Sequence, residues 1–224
     1  MAVTELPETG FLSGASENLR AAIERMKTEI ILQPGDILFE QGAVGDALFA
    51  VLEGVLEISV LSMDGRKLSL DLMRPGELFG EIALFDPGER TATATATEPC
   101  RLWRIKNADV LVEIRRDPEL AVDMIHLAGK RMRWMNLQLH EQVFLPLSTR
   151  LARKVLHLIP SDAGTDGMLA LSQAELAEYV GATREAVSKT LAVWKRNGVI
   201  DAGRGGLVVL DQDALEDLAE PELI

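Results

Sequence analysis

Cysteine occurs once in this chain of 224 residues, at Cys100. A single thiol excludes a disulfide framework and any four-cysteine metal or iron–sulfur site. It falls in the apolar run 100–105 and reads as a buried structural group. The three histidines, His126, His140 and His157, lie in helical segments away from that cysteine in sequence. No metal or triad spacing results, so neither an enzyme nor a metal site is expected. No segment reaches the ~18 apolar residues of a membrane span, and no basic-then-apolar leader opens the chain. The cytoplasm is the expected location, with no membrane partner. Positive charge is also scarce: 23 Lys and Arg stand against 35 Asp and Glu, a formal net charge of -12. Phosphate contacts need cations, so indiscriminate nucleic-acid binding is excluded and any DNA contact must use a local concentration of them.

What remains is the composition of an ordinary globular protein. Hydrophobic residues make up 47% and charged residues 26%, enough for two small domains with a core each. Residues 1–28 are a loosely amphipathic lead-in, with Leu19, Ile23 and Met26 at helical spacing. Short apolar runs follow at 30–32, 37–39, 47–52, 55–61, 68–72, 92–97 and 100–105. Pro34-Gly35-Asp36, Gly42, Gly45-Asp46, Glu53-Gly54, Asp64-Gly65 and Pro75-Gly76 separate them. Asp-Gly at 64 and 65 is a hairpin signal. Many short strands at regular spacing predict a β-sandwich or jelly-roll barrel.

The stretch 79–92, Phe-Gly-Glu-Ile-Ala-Leu-Phe-Asp-Pro-Gly-Glu-Arg-Thr-Ala, carries the first chemical signal. Gly80 permits close approach, and Ile82 and Ala83 open a short helix with free amides. Glu81 is an acceptor suited to sugar hydroxyls, and the guanidinium fork of Arg90 beside the Thr91 hydroxyl suits a phosphate. The plain alternative for an arginine here is an ion pair with Glu81 or Glu89. The full spacing favours the ligand: it resembles the phosphate-binding cassette of the cyclic-nucleotide-binding domain. That resemblance implies ribose on Glu81 and cyclic phosphate on Arg90 and Thr91. The glycine pattern extends it over about residues 25–115 as a β-roll.

Asp117 and Pro118 start a helix that runs to about Phe144, where Leu145-Pro146 interrupts it. Ala121, Ile125, Ala128, Met132, Met135, Leu139 and Gln142 alternate steps of four and three, a heptad seam. Leu120, Met124, Leu127 and Trp134 form a second stripe. We read the second stripe as facing the β-roll and the seam as facing another copy of the chain.

Residues 149–159 form a further helix, followed by a Gly/Asp loop at 162–167. Ser172 and Glu175 make a capping box for a short helix ending near Gly181, and Thr183 caps a second helix from Arg184 to about Asn197. Val187, Leu191 and Trp194 face inward. Helix, glycine-bearing turn, helix is the helix-turn-helix pattern, and residues 199–200 and 207–209, joined through 203–206, read as a wing. The acidic segment 211–224 is a helix or tail. The second helix presents Arg184, Glu185, Ser188, Lys189 and Ala192 outward. From 184 to 206 the cations Arg184, Lys189, Lys195, Arg196 and Arg204 oppose Glu185 and Asp201, a local charge of 5 − 2 = +3. An acid among cations suits base reading: Arg or Lys meets guanine O6 and N7, and Glu accepts from cytosine N4. The plainer reading is a solvated face with a Glu185–Lys189 pair.

Residues 172–177 and 181–189 resemble the helix-turn-helix of the CRP/FNR family of bacterial transcription regulators, and with the β-roll and long helix the resemblance spans nearly the whole chain. It implies an α+β architecture in three parts: a jelly-roll-like cyclic-nucleotide-binding domain over 1–116, a dimerisation helix over 117–145, and a winged helix-turn-helix over 146–224. It implies base contacts from Arg184, Glu185 and Lys189, where lysine lacks the planar fork of the family's arginine, with Ser188 beside them. It implies a palindromic double-stranded operator, a homodimer, RNA polymerase as a partner, and cAMP or cGMP as effector, with no metal, haem or iron–sulfur cluster. At the base end of the pocket, Met132, Met135 and Asn136 are the expected contacts. Met135 and Asn136 replace the family's Thr-Ser pair, so the effector can instead differ, or the protein can act unliganded. A regulatory subunit working through protein contacts is the reading from another class.

Overall fold

The structure is a computed structural model that describes residues 6–159, 168–169, 171–203 and 206–220. The loop expected at 162–167, Arg204 and the last four residues lie outside them. The chain divides into two compact units. The first runs to Arg133 without Lys67–Ser69; the second takes Lys67–Ser69 and everything from Trp134.

In the first unit a 3-10 turn over Gly10–Gly14 precedes helix α1 (Glu17–Met26), whose cap is the Ser16 hydroxyl accepting from the Leu19 amide at 3.1 Å. Eight strands follow: β1 (Thr28–Leu32), β2 (Ile37–Phe39), β3 (Ala47–Glu53), β4 (Leu56–Leu61), β5 (Lys67–Met73), β6 (Leu78–Phe79), β7 (Thr93–Ala96) and β8 (Cys100–Lys106). A short helix α2 (Ile82–Phe85) lies between β6 and β7, and α3 (Asn107–Arg116) and α4 (Glu119–Phe144), whose residues from Trp134 count with the second unit, follow β8.

Two four-stranded sheets, ordered β1-β8-β3-β6 and β2-β7-β4-β5, face each other. Strand β3 explains the layering. Ala47, Phe49 and Val51 point between the sheets, onto Leu56, Met73, Phe79, Ala94, Ala96, Cys100 and Leu102. Leu48, Ala50 and Leu52 point the other way, into a second core with Ile23 of α1, Val110 of α3, and Leu120, Met124 and Leu127 of α4. A strand buried on both faces must be apolar at consecutive positions. The unbroken run 47–52 is the sequence form of that requirement.

The seven expected strands are present, and the predicted jelly-roll-like roll stands. Strand β6, of two residues, and helix α3 are additions. Asp117 serves both helices around it: its amide donates to Glu113 O at 2.8 Å, and its carboxylate accepts from the Glu119 amide at 3.2 Å.

The second unit holds α5 (Leu147–Leu158), β9 (Met168–Leu169), α6 (Gln173–Val180), α7 (Arg184–Arg196), β10 (Ile200–Gly203), β11 (Gly206–Val209) and α8 (Gln212–Ala219). The capping box forms as expected: Ser172 Oγ accepts from the Glu175 amide at 3.2 Å, and Glu175 Oε2 accepts from the Ser172 amide at 2.7 Å. Gly181 closes α6 in the left-handed region (φ 64°), which only glycine enters without a Cβ penalty. Arg150 and Gln142 both donate to the Val180 carbonyl there, Arg150 at 2.9 Å and Gln142 at 3.3 Å. Gln142, read as the last seam position, therefore serves the helix-turn-helix. Strands β10 and β11 form the predicted wing hairpin, with β9 as a third strand the sequence did not announce. Among the described residues, no helix is long and apolar enough to cross a membrane.

Candidate effector and nucleic-acid sites

The cassette starts where β6 ends. Gly80, at φ +83°, turns the chain so that Glu81 stands at the N-cap of α2. The return path toward β7 is fixed by a ladder against the loop before β3. Gly45 N donates to Gly88 O (3.0 Å), Gly42 N to Arg90 O (2.8 Å) and Arg90 N to Ala43 O (2.7 Å). Gly45 has to be glycine for steric reasons: a Cβ there would lie 2.3 Å from Ala83 Cβ and 3.3 Å from Gly88 O. Neither neighbour is a flexible tip. Gly45→Ala is therefore expected to destabilise the first unit by roughly 1–3 kcal/mol, the range for overpacking, and to distort the cassette. Thermal denaturation checks this, and an unchanged midpoint would refute it.

Arg90 is only 6% exposed. It does not pair with Glu81 or Glu89, the plain alternative. Its Nη1 donates to Gly80 O (3.1 Å) and its Nη2 to Ala47 O (2.8 Å). The guanidinium carbon stands 4.3 Å from the Phe39 ring centroid and 5.4 Å from that of Phe49. Phe39, Phe49 and Phe79 pack on one another with centroids 5.6–6.1 Å apart, so the cation rests on an aromatic floor. Its Nε is buried without a hydrogen-bond partner. Burial pulls the Arg90 pKa below its ordinary value, Asp46 and Glu81 oppose that, and Arg104 adds to it. Asp46 in turn pairs with Arg104 at 2.5 Å. A desolvated cation whose two bonds go to neutral carbonyls is suited to receive an anion.

Glu81 is 4% exposed, and a carboxylate so deep needs a cation. Arg131 of α4 supplies it. Its Nε donates to Glu81 Oε1 at 3.2 Å, its Nη2 to Leu78 O at 3.3 Å, and its Nη1 lies 3.6 Å from Asp71 Oδ2. Sequence reasoning missed Arg131 and Asp71, yet a signal existed. The inward stripe Leu120, Met124, Leu127, Trp134 steps over position 131, and a charge at that inward position demands a buried partner. Arg131→Met leaves Glu81 buried and uncompensated, so we expect a loss of about 3–5 kcal/mol in the first unit. Chemical denaturation measures it, and pairing the change with Glu81→Gln should recover much of the loss. Gly80, Glu81, Ile82, Ala83, Arg90 and Thr91 thus come together at one end of the roll. Ala83 is buried, while Ile82 and Thr91 are exposed.

Along α4, Met132, Met135 and Asn136 occupy exposed positions. Leu120, Met124 and Leu127 are buried as the second stripe required. The seam residues Ile125 (67% exposed), Met132 (65%), Met135 (52%) and Leu139 (62%) form an uncovered apolar stripe.

In the second unit α7 buries Val187, Leu191 and Trp194 and turns Arg184, Glu185 and Lys189 outward, with Ser188 half-buried beside them. Thr183 Oγ1 caps the helix by accepting from the Ala186 amide at 3.2 Å. Lys189 and Glu185 pair at 2.7 Å, an exposed i,i+4 contact worth only about 0.3–0.5 kcal/mol. Lys195 is engaged differently: its Nζ meets Asp201 Oδ1 at 2.7 Å and Ala202 O at 2.9 Å, tying α7 to the β10–β11 hairpin. That pair holds the Asp201 carboxyl below its ordinary value.

Comparison with known proteins matches both domains. The cyclic nucleotide-binding domain family matches residues 29–117, and the Crp-like helix-turn-helix domain family matches residues 149–218. The chain is 33% identical over 205 residues to the cyclic AMP receptor protein of Thermus thermophilus, covering 92% of this chain and 94% of that protein. It is 28% identical over 215 residues to a CRP-like cAMP-activated global transcriptional regulator of Mycobacterium tuberculosis, covering 94% and 96%. The crystal structure of a CRP/FNR-family transcriptional regulator from Thermus thermophilus superposes with a TM-score of 0.74 at 30% identity, over 88% of this chain and all of that one. With a cyclic-nucleotide-binding β-roll and a Crp-like helix-turn-helix in one chain, this protein belongs to the CRP/FNR family of DNA-binding transcription regulators.

Proposed function

We propose that the protein is a homodimeric, cytoplasmic regulator whose DNA binding is gated by a cyclic nucleotide, cAMP or cGMP, held in the β-roll. The observation that carries this reading is Arg90: buried on aromatic faces, with Nε unpartnered and both other nitrogens on neutral carbonyls. A cyclic phosphate supplies the missing anion at Arg90 and Thr91. Glu81 keeps Oε1 on Arg131 and offers Oε2 to a ribose hydroxyl. Gly80, Ile82 and Ala83 shape the same turn. The base is read from α4, where Asn136 can both donate and accept. Relatives described as a cyclic AMP receptor protein and as a cAMP-activated regulator support the effector class.

The same helix carries the uncovered seam Ile125, Met132, Met135 and Leu139, which a second copy covers. Effector contacts on the dimer helix can bias how two copies pair, and the pairing sets the separation of two α7 helices. Half-sites ~34–36 Å apart demand one such separation, so effector and a palindromic operator are reciprocally coupled. Arg184, Glu185, Ser188 and Lys189 read the bases, and RNA polymerase is the partner through which the bound dimer acts. No enzymatic step belongs to this scheme.

Met135 favours a second reading, an effector other than cAMP or none, because a thioether cannot donate to a base. Calorimetry decides between them. Saturable heat from cAMP or cGMP, titrated separately into nucleotide-stripped dimer, supports the first reading. Silence from both, with the protein folded, supports the second.

A further inference from the structure

The C-terminal half of α7 carries a feature that base reading uses only at its edge, Lys189. Lys189, Ala192, Val193, Lys195 and Arg196 line an open hollow on the outer surface of this helix. Three cations surround it, and two are already engaged: Lys189 with Glu185, and Lys195 with Asp201 and Ala202 O. Arg196 is exposed and has neither an ion pair nor a hydrogen bond among the described residues. Ala192 is small and Val193 is exposed, so the centre of the hollow is shallow and apolar.

Helix geometry decides what such a hollow can meet. A recognition helix enters the major groove by its N-terminal residues, here Arg184 and Glu185. Arg196 is twelve residues further along, about 18 Å at 1.5 Å per residue. The major groove is only ≈ 12 Å wide, so a helix that crosses it with its first turn on base edges has its last turn at the groove's rim. What lies at the rim is the sugar–phosphate backbone. Charge agrees, because a chain of net charge -12 concentrates cations around this hollow.

We propose that the hollow at the C-terminal end of α7 is a DNA-backbone clamp, with Arg196 gripping a phosphate that flanks each half-site and the Ala192–Val193 surface resting on the adjoining deoxyribose. Lys195 positions the wing and contributes no phosphate contact. The inference rests on the DNA-binding reading above and extends it from base recognition to anchoring.

The test uses the full-length dimer and a palindromic duplex selected by the wild-type protein from a randomised pool. Affinity is followed by fluorescence anisotropy across a salt series, with any required effector held saturating. Each phosphate contact contributes about 0.9 to the slope of log K against log salt. Arg196→Ala is expected to flatten the slope by about 1.8 for two half-sites, weakening binding roughly tenfold per protomer near 0.1 M salt. Arg196→Lys should keep the slope, because a phosphate accepts a point charge. The ranking of operators with single base changes should be identical in wild type and Arg196→Ala. An unchanged slope in Arg196→Ala overturns the clamp. So does an altered ranking, which would make Arg196 a base reader. Failure of the wild type to enrich any duplex overturns the DNA-binding reading itself, and the clamp with it.

Discussion

Arg90→Ala is expected to abolish measurable cyclic-nucleotide binding in calorimetry. Hydrogen bonds to charged groups contribute about 1.5–3 kcal/mol each. Two such bonds to a cyclic phosphate amount to a weakening of about 10²–10⁴-fold, at tenfold per 1.4 kcal/mol. The variant also removes the donors now held by Gly80 O and Ala47 O, so loss of binding could reflect a disturbed cassette. Arg90→Lys separates the two. It keeps the cation over Phe39 and Phe49 but loses the fork, and is expected to fold normally while still binding at least tenfold more weakly. Thr91→Val removes one exposed hydroxyl that donates to the same anion and should cost about 10–10²-fold. Binding by Arg90→Ala within threefold of wild type would remove Arg90 from the site.

Why these residues could be named from sequence, while Arg131 and Asp71 could not, follows from how each type of information is encoded. The cassette is contiguous: Gly80, Glu81, Arg90 and Thr91 are set by one turn, one short helix and one loop. Local conformational requirements write themselves into local sequence, and the Gly80 positive φ is one of them. The capping box at Ser172 and Glu175 was legible for the same reason. Arg131 meets Glu81 across 50 positions, a distance at which no periodicity or turn rule operates. Only the interruption of the inward stripe between Leu127 and Trp134 hinted that a charge was turned to the core.

Helix α3 escaped for another reason. It buries only Val110, so its apolar face is too narrow to show a period. Strand β9, of two residues, gave no pattern at all. Phe39 and Phe49 looked like ordinary strand residues, and their role as a floor under Arg90 depends on pairings made far along the chain. On α7, by contrast, the sequence supplied the outward stripe but could not show that Lys195 is tied to Asp201, which turns a charge count of +3 into fewer available cations.

Leu139→Glu is expected to turn the proposed dimer into a monomer, with the largest consequence for DNA. Leu139 is 62% exposed and stands in the stripe with Ile125, Met132 and Met135. Burying an apolar side chain of this size contributes roughly 1.5–3 kcal/mol, and a two-fold seam uses each position twice. Replacing leucine by glutamate removes that burial and brings two like charges toward the axis. Single-chain folding should survive, because the substituted position is already exposed. Sedimentation equilibrium should show a monomer, and Leu137→Glu, about half a turn around the same helix and off the seam, should remain dimeric. A dimer engages two half-sites with the second contact effectively intramolecular, an advantage of about 10²–10⁴. Leu139→Glu should therefore bind the selected palindrome weaker by that factor while its affinity for an isolated half-site is unchanged. The half-site measurement makes the prediction specific, since damage to α7 would lower both affinities. A variant that sediments as a dimer, or a monomer that holds the palindrome as tightly as wild type, would place the contact between copies somewhere other than α4.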